Sequence, residues 1–225
     1  DDSTEIIRRY EGQVHNAHIG PDAGQTHAIA RGFHQLPEAT HLMWLNSDDR
    51  MLPGALSAFA EVIQKNPRYG LYIGGGWQIF SESQRKLIVR ENIEWPQIRN
   101  WPHHYFLQPA TIISRTAYEA VLGVNPDVDH AMDYDLWIRV LHHHKAKCFS
   151  KPVCEVHMHP AQKTARLRPE VLWETLALCF DDGGRADALQ LASHFMRHES
   201  QFNSWIKSKG IALLSSLSKR RRSSS

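Results

Sequence analysis

The stretch HLMWLNSDD, residues 41–49, is the part of this chain that best indicates its fold. Its first five residues are mostly apolar and predict a short buried strand. The strand pattern ends in an amide, Asn46, and two adjacent carboxylates, Asp48 and Asp49. Ligands bind beyond the carboxyl ends of strands in α/β sheets, and carboxylates suit Mg²⁺ or Mn²⁺. The stretch therefore predicts a metal-assisted diphosphate site, with a turn and helix cap ahead of Pro53 as the alternative.

Strand and helix patterns alternate on both sides of this stretch. Strand patterns recur with a hairpin, and helical patterns separate them: strands 71–73, 110–113 and 148–156, hairpin 77–80 with 86–89, helices 4–10, 25–35, 54–65, 116–122 and 135–144. This alternation predicts an α/β fold with a mainly parallel sheet and helices on both faces. Three glycines, residues 74–76, predict a close approach of the backbone to a ligand or a sharp turn.

Composition excludes several classes of protein. The 225 residues are 42% hydrophobic and 22% charged, which is an ordinary globular balance. A net charge of +2 is too small to indicate a nucleic-acid partner. Three cysteines without a CxxC pair indicate neither a disulfide framework nor a zinc site, and favour a reducing, cytoplasmic compartment. The sequence has no apolar run of about 18 residues, so we expect no membrane-spanning helix.

A second acidic pair precedes a helical pattern in the stretch AMDYDLWIR, residues 131–139. Asp133 and Asp135 are two residues apart, so one could cap the helix while the other faces a cleft as a general base. A base is what an acceptor hydroxyl needs in order to attack a sugar carbon. The alternative is a helix start with two capping acids, and this stretch alone favours that alternative.

Seven sequence blocks occur in an order that resembles the family-two inverting glycosyltransferases, which have the GT-A fold. They are DDSTEIIRRY (1–10), PDAGQ (21–25), AIARGF (28–33), WLNSDD (44–49), QPAT (108–111), AMDYDLWIR (131–139) and HPAQKT (159–164). The resemblance covers about residues 1–165. It implies a Rossmann-like GT-A domain over residues 1–165 that lacks its first strand. Beyond this domain, the residue pattern itself predicts a helical extension over 166–218, and the low-complexity sequence predicts a disordered basic tail over 219–225.

The resemblance also implies a role for individual residues. Asp133 is similar to the catalytic base of the family, with Asp135 as the second choice. Asp48 and Asp49 resemble the metal and ribose site of a DxD-type motif, with Asn46 in its first position and His159 as a further metal ligand. Gln108 resembles part of the acceptor or sugar pocket. The remaining donor-binding residues resemble groups around the nucleotide and its diphosphate: Asp1, Asp2, Asp22, Gly24, Gln25, Arg31 and Lys163.

The expected reaction transfers a sugar from a nucleoside-diphosphate sugar, first of all a UDP-sugar, to an acceptor hydroxyl with inversion. The acceptor would be a glycan, as in polysaccharide biosynthesis, or a lipid-linked sugar. Departures from the family pattern, such as Ala30 for Asn and Ala161 for Gly, leave open a module that binds a sugar or a partner protein without turnover. A nucleotidyltransferase is a further alternative, although the sequence lacks the Gly-rich, basic phosphate loop that such an enzyme needs.

The end of the chain carries an apolar helical stripe flanked by basic residues, within residues 202–222. Such a helix could lie on an anionic membrane surface and place the protein at the inner face of the membrane. The alternative is a helix packed on the catalytic domain, and we favour it because patterns of this kind are weak.

Overall fold

Two long neighbouring strands form the centre of the sheet in the computed structural model, which describes residues 2–99, 106–163, 168–182 and 184–198. The described strands are β1 (His41–Leu42), β2 (Asp49–Met51), β3 (Leu71–Ile79), β4 (Arg85–Ile88), β5 (Thr111–Ser114) and β6 (Ala146–His157). The described helices are α1 (Ser3–Tyr10), α2 (Gln25–His34), α3 (Ala55–Lys65), α4 (Trp95–Ile98), α5 (Arg115–Ala120), α6 (Met132–His143), α7 (Arg168–Asp181) and α8 (Arg185–His198).

The sheet has the order β1-β5-β3-β6-β2, and β4 pairs with the second half of β3. Strands β3 and β6 run parallel along most of their length, while the other described pairings are antiparallel. The predicted α/β class with flanking helices is confirmed, but the prediction of a mainly parallel sheet is wrong. The chain reverses in the β3–β4 hairpin and again between β1 and β2. Neither connection contains the crossover helix that a parallel connection needs.

The three glycines lie inside β3 and form no turn. A Cβ added at Gly76 would lie 2.6 Å from Cys154 Sγ, and one at Gly75 would lie 2.8 Å from the carbonyl oxygen of Ser150. Both neighbours belong to β6, whose register against β3 shifts at this point. The glycines therefore allow the two central strands to approach closely across an irregularity.

The sheet has an apolar cluster on each face. Leu71 and Ile73 of β3 belong to one cluster with Trp137 of α6, whereas Tyr72, between them, belongs to the other cluster with Phe59 of α3. This alternation is what a strand buried on both faces produces. Apolar side chains therefore cover the centre of the sheet on both faces.

The two C-terminal helices that the structure describes are packed against the rest of the protein. Leu172, Cys179, Leu191 and Phe195 form a small cluster between α7 and α8. Leu178 of α7 belongs to the main cluster that includes α6. The three cysteines are free thiols. None of the described helices combines the length and the apolar character that a membrane crossing requires.

Candidate functional site

A cavity of about 630 Å³ lies at the edge of the sheet where β3 and β6 end. Its walls come from the start of α2, the turn before β2, the segment before β5, the start of α6 and the segment after β6. Residues that are far apart in the chain therefore meet around one space. Eight of the residues predicted from the sequence line it: Gln25, Asn46, Asp48, Asp49, Gln108, Asp133, His159 and Lys163.

Strand pairing brings Asp49 to the cavity. Asp49 is the first residue of β2 and pairs with Val156 near the end of β6. It begins a strand, so the stretch after Trp44 contains the turn of the alternative interpretation but not its helix cap, and α3 begins only at Ala55. Gln25 donates a hydrogen bond to Asn46 Oδ1 at 2.9 Å, and Asn46 donates from Nδ2 to Asp49 Oδ2 at 3.3 Å. This chain of amides orients the Asp49 carboxylate.

The Asp49 carboxyl group is placed where a negative charge is costly. Burial, followed by the neighbouring charge of Asp48, raises its pKa to about 6. Asn46, His157 and His159 act in the opposite direction. Asp49 Oδ1 is buried and accepts no hydrogen bond from any described residue. A cation or a hydrogen-bond donor beside this oxygen would stabilise the ionised form.

Asp48 and His159 form a pair at the mouth of the cavity. His159 Nε2 lies 3.4 Å from Asp48 Oδ2, and each side chain is 41% exposed. An exposed pair of this kind contributes at most about 1 kcal/mol to stability. Both side chains are therefore available to a ligand at small cost. The other histidine near the end of β6, His157, does not line the cavity.

The described residues provide no group of three His, Cys, Asp or Glu side chains arranged to hold a metal ion. What they provide is two adjacent carboxylates, one with an unpartnered buried oxygen, and one imidazole beside them. Magnesium is usually bound in this way, through one or two carboxylates, with phosphate oxygens and water completing the shell. The donor set thus fits a metal that arrives with a diphosphate, and not a metal held by the protein alone.

Asp133 lies in the first turn of α6 and lines the cavity. Its Oδ1 accepts a hydrogen bond from the backbone nitrogen of Tyr134 at 2.8 Å. The pKa of Asp133 is raised to about 6, mainly by burial and to a smaller extent by the charge of Glu174. The hydrogen bond from the Tyr134 nitrogen and the charge of Lys163 act in the opposite direction. A carboxylate whose pKa is close to the working pH is well matched to general base catalysis.

Asp135, the second choice for the base, is buried on the other side of the same helix. Its Oδ2 accepts a hydrogen bond from Arg139 Nε at 2.9 Å, and its side chain is only 6% exposed. Arg139 also donates to the carbonyl oxygen of Val121. Asp135 does not line the cavity. Its observed contacts join α6 to the end of α5.

Several predicted donor-binding residues lie away from the cavity walls that the structure describes. Asp2 precedes α1, and Arg31 lies in α2 without lining the cavity. Asp22 accepts a hydrogen bond from the backbone nitrogen of Gly24, which precedes α2 with a φ of 110°. These two residues shape the loop before Gln25. Asp1 and the apolar stripe within residues 202–222 lie outside the described residues.

Gln108 connects the segment before β5 to the strand end at Trp44. Its Nε2 donates to the carbonyl oxygen of Trp44 at 2.9 Å. Its Oε1 and Trp44 Nε1 are buried, and neither atom has a hydrogen-bond partner in the described part of the chain. Both side chains line the cavity, so its wall contains one acceptor, Gln108 Oε1, and one donor, Trp44 Nε1, without a partner among the described residues. A sugar hydroxyl, which both donates and accepts, is a group that could satisfy them.

Sequence reasoning missed four residues at or behind this site. Trp44, Gln78 and His130 line the cavity, and Glu174 contacts the segment that precedes α6. The first three look like ordinary core or loop residues in the sequence. Glu174 carried a usable signal, because it is an acidic residue surrounded by apolar ones in the helical stretch LWETLA, residues 172–177. A buried acid must find partners.

A second cavity of about 500 Å³ lies beside the first and shares Gln25, Trp44 and Asn46 with it. Its other walls are largely apolar and include Ile29, Phe33, Leu36 and Met43. The first cavity is lined by three carboxylates and the second by none, and the same three side chains separate them.

No protein-family model and no curated protein sequence matches the chain. Solved structures do match. They include S. aureus TarS, with a TM-score of 0.58 at 14% identity over 89% of this chain and 36% of that chain. They also include S. aureus TarS 1-349 in complex with UDP-GlcNAc, with a TM-score of 0.59 at 12% identity over 87% of this chain and 59% of that chain.

A third matching structure is the mannosyltransferase PcManGT from Pyrobaculum calidifontis in complex with GDP-Man and Mn²⁺. Its TM-score is 0.56 at 14% identity, over 95% of this chain and 68% of that chain. This chain thus spans from about a third to about two thirds of the proteins it matches. Likeness at such low identity concerns the fold. The chain has the GT-A-like α/β fold of these glycosyltransferases, with a curled sheet and flanking helices.

Proposed function

We propose that this chain carries a glycosyltransferase domain that transfers a sugar from a nucleoside-diphosphate sugar to an acceptor hydroxyl with inversion. The observation that carries the proposal is that Asp133 lines the same cavity as Asp48, Asp49 and His159. This reaction requires a base for the acceptor hydroxyl and a site for a metal-bound diphosphate. Asp133, with a pKa of about 6, suits the first requirement, and the acidic pair suits the second. The solved complexes with UDP-GlcNAc and GDP-Man support a nucleotide-sugar donor.

The proposed mechanism is a single displacement. Asp133 accepts the proton of the acceptor hydroxyl as the hydroxyl oxygen attacks the anomeric carbon from the face opposite the leaving group. The new glycosidic bond forms as the bond from the anomeric carbon to the diphosphate oxygen breaks, and the diphosphate retains that electron pair. Lys163 and His159 would oppose the charge that develops on the diphosphate, and stabilisation of this charge is the larger part of catalysis.

Asp48, Asp49 and His159 would hold a divalent metal, Mn²⁺ or Mg²⁺, together with the diphosphate. When bound, the metal would supply positive charge that neutralises the diphosphate. The unpartnered Oδ1 of Asp49 supports this assignment. Asn46 would orient Asp49 through its existing hydrogen bond, and Gln25 would orient Asn46 in turn.

The donor and acceptor would occupy different parts of the site. We propose that Gln108 and Trp44 contact the sugar or the acceptor, because each has an unused polar atom. A UDP-sugar is our first choice of donor, and a glycan or a lipid-linked sugar is our choice of acceptor. The loop that contains Asp22 and Gly24 would contact the nucleotide, and the apolar second cavity beside it would suit a flat base.

Titration calorimetry of the full 225-residue chain with UDP, GDP and dTDP, each with and without Mn²⁺, tests the donor site. We expect binding of one nucleotide that depends on Mn²⁺ and is lost in Asp49→Ala. Asp127→Ala serves as a matched control, since this exposed acid does not line the cavity. Absence of binding by a chain that is demonstrably folded would contradict the proposal.

A non-catalytic sugar-binding module is the second candidate, and the departures from the family pattern at Ala30 and Ala161 favour it. Release of free nucleoside diphosphate from the bound donor would distinguish the two functions. Binding without any release, in the presence of Mn²⁺ and a range of glycan acceptors, would support the module.

A further inference from the structure

Glu174 of α7 reaches the segment that leads into α6. It is a buried residue, 9% exposed. Its Oε2 accepts hydrogen bonds from the backbone nitrogens of His130 at 2.6 Å and Ala131 at 2.7 Å, and its Oε1 accepts one from Asp129 at 3.2 Å. Three consecutive backbone N–H groups therefore converge on one carboxylate. Hydrogen bonds to an ionised group are stronger than those between neutral groups.

Two further side chains hold the same segment from other directions. Thr26 of α2 donates from Oγ1 to the carbonyl oxygen of Val128 at 3.0 Å. Lys163, after β6, donates from Nζ to the carbonyl oxygen of Asp129. The segment 128–131 is thus bonded by side chains from three separate elements. These hydrogen bonds satisfy backbone polar groups of the segment in the observed conformation. A loop without such partners would have no comparable reason to keep one conformation.

This segment determines where α6 begins. The helix starts at Met132, and Asp133 is its second residue, so a shift of the segment would move the Asp133 carboxylate directly. We propose that Glu174 is a positioning residue, through which the C-terminal helices hold Asp133 in the geometry needed for proton abstraction. This inference rests on the proposed function. The inference gives α7 a function in the site, which the position of this helix in the chain does not indicate.

Charge gives Glu174 a second influence on Asp133. Among the charged groups that act on the Asp133 carboxyl, Lys163 lowers its pKa and Glu174 raises it. Glu174, which accepts from the N–H groups of the segment, and Lys163, which donates to one of its carbonyl oxygens, therefore have opposite effects on the pKa of Asp133. Removing either charge should shift the pH at which the base ionises, in opposite directions.

The test compares Glu174→Gln, Glu174→Asp and the control Glu38→Gln, an exposed glutamate outside the cavity. In Glu174→Gln we expect kcat to fall roughly tenfold or more, with KM for the nucleotide sugar unchanged. The acidic limb of its pH–rate profile should move to lower pH, because a negative charge is lost. Glu174→Asp keeps the charge but shortens the side chain, so kcat should fall without this shift. Glu38→Gln should match wild type.

Lys163→Met provides an independent variant and should move the acidic limb to higher pH. Unchanged kcat and an unchanged limb in Glu174→Gln would overturn the proposal. So would a loss of kcat in Glu174→Gln that leaves its limb in place, since a merely structural residue would produce that result.

Hydrogen exchange of the wild-type chain separates this inference from the proposed function. The amides of His130 and Ala131 should be protected in wild type and exchange about tenfold faster or more in Glu174→Gln, since opening the contact exposes them. Rapid exchange in wild type would overturn the positioning role even if the chain is active or if Glu174→Gln fails to fold. Protected amides in a chain without turnover would contradict the proposed function, while the contact itself would stand.

Discussion

Asp48 Oδ2 and His159 Nε2 lie 3.4 Å apart, although 111 residues separate them in the chain. They meet because β2 pairs with the last part of β6, which brings the turn before β2 next to the residues that follow β6. The pair lies at the mouth of a cavity whose inner wall includes Asp133. Long-range strand pairing thus assembles the proposed diphosphate end of the site.

His159→Gln should weaken the Mn²⁺-dependent affinity for the nucleoside diphosphate about tenfold, because it removes one charge-assisted contact. The free energy of unfolding should change by less than about 1 kcal/mol, since the pair with Asp48 is exposed. Calorimetry and thermal unfolding measure the two quantities. His34→Gln, at an exposed position in α2, is the control. Equal affinities of His159→Gln and His34→Gln would show that His159 does not contact the ligand.

Asp133→Asn and Asp135→Asn should separate chemistry from stability. We expect Asp133→Asn to lower kcat by about 10²- to 10⁴-fold, as loss of a general base does. Asp135→Asn should lower the free energy of unfolding by about 3 kcal/mol, because it breaks a largely buried ion pair with Arg139. Steady-state kinetics and urea unfolding of both variants check this. Undiminished turnover in Asp133→Asn would mean that the base is assigned to the wrong residue.

Asp133→Asn should also stabilise the protein at neutral pH. The folded-state pKa of about 6 lies above the ordinary value of 3.8, so the unfolded state loses this proton first as the pH rises. The stabilising contribution of the neutral carboxyl is therefore present below about pH 4 and is lost as the pH rises toward 6. We expect the variant to be more stable than wild type by about 3 kcal/mol near pH 7.

Urea unfolding at about pH 4 and about pH 7 measures this difference. The two proteins should have nearly equal stability at the lower pH, since the wild-type carboxyl is neutral there in both states. A difference that does not depend on pH would show that the Asp133 carboxyl is not buried at a cost.

Gly76→Ala should lower the free energy of unfolding by about 1 to 3 kcal/mol, because the new methyl group would lie 2.6 Å from Cys154 Sγ between the central strands. Gly32→Ala is the matched control. It lies in α2 with no atom within 4 Å of the added methyl group, so the better helix propensity of alanine should raise stability by up to about 1 kcal/mol. Thermal unfolding of the two variants should shift in opposite directions. A stabilised Gly76→Ala would mean that β3 and β6 are not closely packed there.

The sequence predicted most of the elements that the structure contains. The helices of residues 25–35 and 54–65 and the hairpin after the three glycines are present with small differences at their ends. The pairing of β3 with β6 is parallel as predicted, but the other described pairings are antiparallel. The sequence could not distinguish these cases, because an apolar run has the same pattern in a parallel and an antiparallel pairing. Strand β2 was not predicted, because it has no apolar pattern of its own. Its three residues, Asp49–Met51, are polar or half-exposed and become a strand only by pairing with β6.

The chemistry of the site was accessible from the sequence, and its arrangement was not. Acids that follow an apolar strand or open a helix are local patterns, so Asp48, Asp49 and Asp133 could be identified as candidates. Local patterns could not tell Asp133 from Asp135, since both lie in the first turn of α6. The difference is that Arg139, one turn later, engages Asp135 and leaves Asp133 beside the cavity.

Helix and strand periodicity depends on neighbouring residues, and so do the residue types that end each element. The α/β class and the candidate acids could therefore be predicted from the sequence alone. Three features could be seen only in the folded protein. They are the pairing of β2 with β6, the burial that raises the pKa values of Asp49 and Asp133, and the hydrogen bonds of Glu174 with residues 129–131. Each of these depends on groups that are distant in the chain and adjacent in space. Electrostatics and desolvation act through space, and the chain order does not contain those distances.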